Sequence, residues 1–329
     1  MVFLCLICTM VYGQDAIFSN ILDKSQYDNP AFASSQYTDD HKGQVSFKHR
    51  DQWNRVAANA YSSTFLEADY KLYGTSLDSW SGGMILLNDV SQNAVFKTNN
   101  VTLFGSYSRV IQKSRSSKQS VALGAGIGYN STNLNTSTLW FGRQYDQQAL
   151  TVNTELSNGE EELSRRNSFV GLDLGLSWNY ESKKIKSEFA VSAAHLNDPA
   201  LDSTLESETI GRRVSFLASF SYKGSRYTTH SLSVKGRNQQ SAFQAIPYYS
   251  LEYSLRDSED ITMTVGTGLR LVRNIDNFGA ESLIVAMGLR ATRWTATISY
   301  DYNVSDLNFF TRGGGAFEFS LGYRFASDY

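Results

Sequence analysis

Cysteine is almost missing from this chain: among 329 residues only Cys5 and Cys8 carry a thiol. Both fall in the apolar opening Met1 to Gly13, which reads as the remnant of a secretory signal over residues 1–13. A mature chain cut there would have no disulfide, no thiolate ligand and no thiol nucleophile. Cys8 is not read as a lipidation site, because Ile7 is larger than the small residue that precedes a lipidated cysteine. Proline is scarce too, at 3 residues, whereas there are 24 Gly, 19 Tyr and 19 Phe, a balance that suits many strands and few helices. No apolar run reaches the roughly 20 residues of a membrane-spanning helix, and mean hydropathy is −0.32. A membrane protein of this composition has to be a barrel. The net charge of −2, with no basic stripe anywhere, argues against a nucleic-acid partner.

Sites for chemistry are equally sparse. The four histidines, His41, His49, His195 and His230, lie in separate segments, and none has a neighbour at metal-ligand spacing. No metal and no cofactor are expected. A hydrolase would need a Ser and a His side by side on neighbouring strands, and no spacing supports that, so the chain is not expected to be an enzyme. Gly124-Ala125-Gly126-Ile127-Gly128 resembles a nucleotide loop only superficially, since no helix start follows it. Such glycines let another segment approach the strand closely.

What the chain does have is alternation. Trp294, Ala296, Ile298, Tyr300 and Tyr302 form one face of a segment whose other face is Thr295, Thr297, Ser299, Asp301 and Asn303. Phe317, Phe319, Leu321, Tyr323 and Phe325 repeat the pattern against Ala316, Glu318, Ser320, Gly322 and Arg324. About fourteen such strands are predicted, near 44–50, 56–70, 82–88, 100–110, 119–130, 168–180, 186–196, 212–223, 228–236, 242–256, 261–272, 282–292, 294–304 and 315–325. An even count fits a bacterial outer-membrane barrel. Alternate connections are short and charged, such as Glu181 to Lys184 and the two-residue Thr292-Arg293, while others are long, above all Asn130 to Asn167. That sorting predicts short periplasmic turns, long extracellular loops and both termini in the periplasm. The Thr292-Arg293 hairpin requires Ala291 and Trp294 to share a face, which the alternation satisfies.

A β-sandwich would turn Lys- and Glu-rich faces to water. Here the polar faces are Gly, Ser and Thr with a few charges of both signs: Glu252, Arg256, Arg270, Arg290, Asp301, Glu318 and Arg324. These read as a lumenal ion-pair network, since a conducting ring would favour one sign. Residues 43–329 are expected to form the barrel. Residues 14–42, which carry no sustained period, are expected to be a periplasmic or plug segment, with Ile17, Phe18 and Phe32 as its apolar side chains.

The motifs, taken in order, resemble one family. Gln14-Asp15 with Phe18-Ser19, then Asn29-Pro30-Ala31-Phe32-Ala33, match its opening signature. Arg50-Asp51-Gln52-Trp53, Gly82-Gly83 and Asn88-Asp89 follow, then Phe141-x-x-Gln144-Tyr145-Asp146 and His195-Leu196-Asn197-x-Pro199. Ser299 to Ser305 with Leu307, then Gly314 to Glu318, close the series. The chain thus resembles the PorP/SprF family of type IX secretion outer-membrane proteins almost end to end. The resemblance implies a barrel in the outer membrane of a Gram-negative bacterium, in contact with lipid including lipopolysaccharide. Its expected partners are type IX secretion and gliding components and a large secreted surface protein, held through an adhesin-type C-terminal domain. Candidate partner-binding positions are Phe18, Asn29, Pro30, Phe32, Gln52, Trp53, Phe141, Gln144, Tyr145, Asp146, Leu307, Phe309 and Phe310. The alternative is a porin or small-molecule transporter, motivated by the polar inner faces.

Overall fold

The computed structural model describes residues 15–35, 41–54, 60–91, 95–135, 139, 141–146, 148–153, 155–157, 166–200, 209–255, 261–273, 278–306 and 308–326. Fourteen antiparallel strands close into a barrel. They are β1 (His41–Gln52), β2 (Tyr61–Gly74), β3 (Asp78–Ser91), β4 (Phe96–Lys113), β5 (Ser117–Leu134), β8 (Arg166–Ser182), β9 (Ile185–Ala194), β10 (Arg213–Lys223), β11 (Thr228–Gln239), β12 (Ala242–Ser254), β13 (Thr262–Arg273), β14 (Phe278–Arg290), β15 (Trp294–Asn303) and β16 (Ala316–Ala326). Two short strands, β6 (Tyr145–Asp146) and β7 (Thr151–Val152), form a separate ribbon in the β5–β8 loop. Each strand pairs with its neighbour in sequence, and β1 pairs with β16 to close the cylinder. With 10 residues in β9 and 18 in β4, the strands are long enough to cross a bilayer.

Each expected strand is present, and the faces sort as the alternation requires. Phe317, Leu321 and Phe325 are exposed on the outer wall, while Glu318, Ser320 and Asp301 are buried on the inner one. Ala291 and Trp294 exchange backbone hydrogen bonds at 2.8 and 3.1 Å, which sets the register of the last hairpin. Near the short turns the outer wall carries paired aromatics: Trp80 with Tyr107 at 4.6 Å, Trp178 stacked on Tyr180, and Trp294 with Tyr323 at 4.7 Å. Amphipathic rings at that level form the interfacial girdle of a membrane barrel.

The inner wall differs from the expectation in one respect. It is not uniformly polar, because Phe65, Ile85, Phe104, Ile246 and Ile284 point inward and are almost fully buried. Residues 15–35 cover them. Phe18 and Tyr27 pack on Phe65, Ile21 and Leu22 pack on the Ile246–Ile284 cluster, and Phe32 packs beside Ala190 and Leu217. Burial of each such side chain is worth about 1.5–3 kcal/mol, so the wall and the segment stabilise one another.

Ala326 pairs with His41 at the short-turn end, as expected for the C-terminal strand. Asp15 does not lie at that end. Its backbone amide donates to Gln239 at 3.0 Å, and its carboxylate meets Arg213 and His195, all at strand ends beside the other set of loops. The described chain therefore runs down the lumen from the long-loop end before β1 begins. Strand order fixes only the ends that are themselves strands, so it does not give the path of residues 15–35.

Candidate functional site

The segment 15–35 is held by charges projecting from opposite walls. Asp15 accepts from Arg213 at 2.8 Å and faces His195 at 3.0 Å, with Arg237 at 3.7 Å. Burial alone would raise its pKa, but Arg213, His195 and Arg237 hold the carboxyl well below the usual carboxylate range. Farther along, Ser19 Oγ donates to Asp301 at 2.7 Å, and the Ser19 and Asn20 amides donate to Glu318 at 2.6 and 3.0 Å. Arg50 completes this cluster, bonding Ser19 Oγ at 2.7 Å and pairing with both Asp301 and Glu318; Arg270 pairs with Asp301 from the other side. Ser25 and the Gln26 amide donate to Glu67 at 2.6 and 3.1 Å, Lys24 pairs with Glu188, and Lys235 pairs with Asp28 at 2.7 Å.

The turn at Asn29-Pro30-Ala31 sits against glycine. A Cβ on Gly175 would lie 2.0 Å from Asn29 Oδ1, and one on Gly124 would lie 2.3 Å from Ala31 N. The Asn29 side chain donates to the carbonyls of Leu176 and Val191, both at 3.1 Å, and accepts from the Ala31 amide at 2.9 Å. Gly124 and its neighbours thus admit close approach of another segment, as the strand reading of that run anticipates.

The sequence-derived lumen set divides in two. Arg270, Asp301 and Glu318 belong to the buried cluster, whereas Glu252 and Arg290 pair at 2.9 Å in a more open position and Arg324 is half-exposed near the short turns. Arg256 lies outside the described residues. Reasoning from sequence missed Arg50, Glu67, Glu188, Arg213, Lys235 and Arg237, although the first five occupy inward positions of predicted strands and Arg237 lies one residue past the predicted 228–236. The available signal was a charge on the polar face of an otherwise apolar-alternating strand.

The candidate partner residues are also split. Phe18, Asn29, Pro30 and Phe32 touch the inner wall and are wholly or largely buried. Gln52 accepts from Arg50 at 3.2 Å, and Trp53, with φ of 61°, packs edge-on against Tyr61 at the long-loop end. In the β5–β8 loop, the Gln144 side chain accepts from the Phe141 amide at 3.3 Å and donates to Leu156 at 2.9 Å. Asp146 caps the next turn, accepting from the amides of Gln148 and Ala149 at 2.8 and 3.1 Å, and these bonds lower its pKa. That motif builds the loop and leaves Tyr145 exposed. Phe309, in the short helix Asn308–Thr311, is 85% exposed. Leu307 and the Phe310 side chain lie outside the described residues. Among the described residues no group of His, Cys, Asp and Glu is arranged to hold a metal ion.

Residues 10–323 match the family described as "Type IX secretion system membrane protein PorP/SprF". The chain belongs to the PorP/SprF family. As a PorP/SprF barrel it is an outer-membrane protein of a Gram-negative bacterium and a membrane component of type IX secretion. A search of curated proteins found no match. Among solved structures it is similar to the CymD monoaromatic hydrocarbon channel, with TM-score 0.51 and 11% identity over 92% of each chain. It is likewise similar to a deltaS2S3 mutant of the TodX monoaromatic hydrocarbon channel, with TM-score 0.53 and 9% identity over 91% of this chain and 93% of that one. At such identity the likeness is one of fold.

Proposed function

We propose that this PorP/SprF barrel is a non-enzymatic docking component of the type IX secretion and gliding machinery. It binds a secreted surface protein through an adhesin-type C-terminal domain and assists its secretion or its retention at the cell surface. The long-loop rim faces outward and carries the docking surface, and the short turns face the periplasm. Residues 15–35 act as a plug. One observation supports the reading above others: the segment is tied to several walls by partly buried ion pairs and covers inward-facing Phe and Ile side chains, an interior suited to a filled support. The rim offers the built loop around Gln144 and the exposed Tyr145 and Phe309 as contact area.

The test is crosslinking in intact outer membranes, followed by pull-down and mass spectrometry. A large exported protein and type IX components should accompany the barrel. Recovery of the barrel alone, under gentle extraction that preserves other outer-membrane complexes, would refute docking. The alternative reading, a porin or small-molecule transporter, predicts steady single-channel current in planar bilayers, where a plugged barrel gives little.

A further inference from the structure

Cations gather at the short-turn end of the lumen. Lys113 of β4 faces Lys118 of β5 in register, Lys118 faces Glu181 of β8, and Glu181 faces Lys186 of β9. Alternation turns this row inward, because Ala122 on β5 and Glu188 on β9 stand at even spacing from it and are buried on the inner wall. Lys223 ends the inward face of β10, in line with buried Leu217. The neighbouring row, Gln112, Gln119, Tyr180 and Ser187, lies on the outer wall and carries no charge. The turn tips add Arg115, Lys183 and Lys184, all exposed. These residues are scattered along the sequence from 113 to 223, and only the closed sheet brings them to one arc.

Acids of the arc itself do not balance this charge. Glu181 is committed to Lys186 at 2.7 Å, and among the described residues Lys113, Lys118 and Lys223 have no ion-pair partner. Like charges directly opposite on a sheet repel, so the Lys113–Lys118 pair is unfavourable until an anion lies beside it. Two residues farther in, Glu188 pairs with Lys24 of the plug, which therefore floors a shallow cup.

The shape of the arc selects the anion. From β4 to β10 it spans about 19 Å, at roughly 4.8 Å per strand, so a small anion meets two cations at most while a chain bearing several carboxylates meets them all. Head groups of surrounding lipid reach the outer wall, where Gln119 and Tyr180 stand instead. Nucleic acid would need rings on which to stack its bases, and Trp178, Tyr180 and Tyr222 are on the outer wall as well. We infer that the short-turn mouth is a docking site for an acidic segment of a polypeptide, held by Lys113, Lys118, Lys186 and Lys223. That the partner is periplasmic rests on the orientation proposed above; the charge chemistry does not.

The full chain, purified in nonionic detergent, is titrated into a labelled peptide of alternating Glu and Ser, with a Gln and Ser peptide as control, and binding is read by fluorescence anisotropy. The acidic peptide should bind at low salt and lose affinity as salt rises, and the neutral one should not bind. Lys113→Gln, Lys118→Gln and Lys223→Gln together should weaken binding about tenfold. Glu181→Gln should tighten it, and Lys97→Gln at the other end of β4 should leave it unchanged. Heat-modifiable migration on gels identifies the folded variants. Absence of acidic-peptide binding, equal binding of the neutral peptide, unchanged affinity in the folded triple variant, or tighter binding of an oligothymidylate of equal charge would overturn the assignment. So would a triple variant that sheds phosphatidylglycerol in native mass spectrometry yet binds the peptide as before, which would give these cations to lipid head groups. No exported protein enters the titration, so its failure leaves docking at the long-loop rim untouched.

Discussion

The backbone amide of Ser19 donates to the Glu318 carboxylate at 2.6 Å, across 299 positions of sequence. Glu318 faces Arg50 on the adjoining strand β1, and the Ser19 hydroxyl reaches Asp301 on β15. Ser19 thus bonds side chains of four strands, β1, β13, β15 and β16, on both sides of the place where the cylinder closes.

Arg50→Ala should therefore be severe. It leaves Asp301 with Arg270 alone and strips Glu318 of its cation in a buried site, a loss of about 3–5 kcal/mol. The midpoint of unfolding, followed by heat-modifiable migration in urea, should fall accordingly. Arg290→Ala removes a more open pair and should cost about 0–1 kcal/mol.

Gly175→Ala forces a methyl group to within 2.0 Å of Asn29 Oδ1 and 2.9 Å of Pro30 Cδ, so the turn of the plug has to move. Overpacking of this kind costs about 1–3 kcal/mol. Limited proteolysis should then cut within 15–35 faster than in the wild type. Gly126→Ala, whose Cβ would meet its neighbours at 3.4 Å or more, should leave the cleavage rate unchanged.

Deleting residues 15–35 should convert a barrel of little conductance into one passing steady current in planar bilayers. The same deletion exposes Phe65, Ile85, Ile246 and Ile284 to the lumen, so the barrel should also unfold at lower urea. Equal current before and after deletion would show that the segment does not obstruct the pore.

Gln144→Ala removes both bonds that tie Phe141 to Leu156 across the β5–β8 loop. Amide exchange at Phe141 to Leu156 should rise about tenfold, as expected for the loss of about 1–1.5 kcal/mol of local stability. The barrel strands should exchange as before.

The pH response of the Asp15 anchor follows from its sign. Its carboxyl is held below its ordinary value by Arg213 and His195, so the attachment contributes fully at neutral pH and is lost only as pH falls below the ordinary carboxylate range. Proteolysis of the plug by an acid-stable protease should be flat from neutral pH to about pH 5 and rise only at stronger acidity. Asp15→Asn should reduce that dependence and leave the part carried by Asp28, which pairs with Lys235.

The barrel was legible in the sequence because alternation is local. Trp294 to Tyr302 declares its two faces without reference to anything distant, and the Ala291–Trp294 hairpin fixes register within four residues. The course of residues 15–35 was not legible, because it is imposed by strands up to 299 positions away and no period records that. Inward Ile246 and Ile284 were hidden for the same reason: an apolar side chain inside a barrel makes sense only beside Ile21 and Leu22. The Phe141-to-Asp146 motif was visible as a motif, yet its work in shaping the loop needed the Leu156 carbonyl to be seen.

The Arg50–Glu318 pair lies directly across the junction of the first and last strands. Peeling those strands apart would strand both charges in a dry interior and tear Ser19 and Asn20 from the same carboxylate. A cylinder riveted there from within resists sideways parting at its own seam.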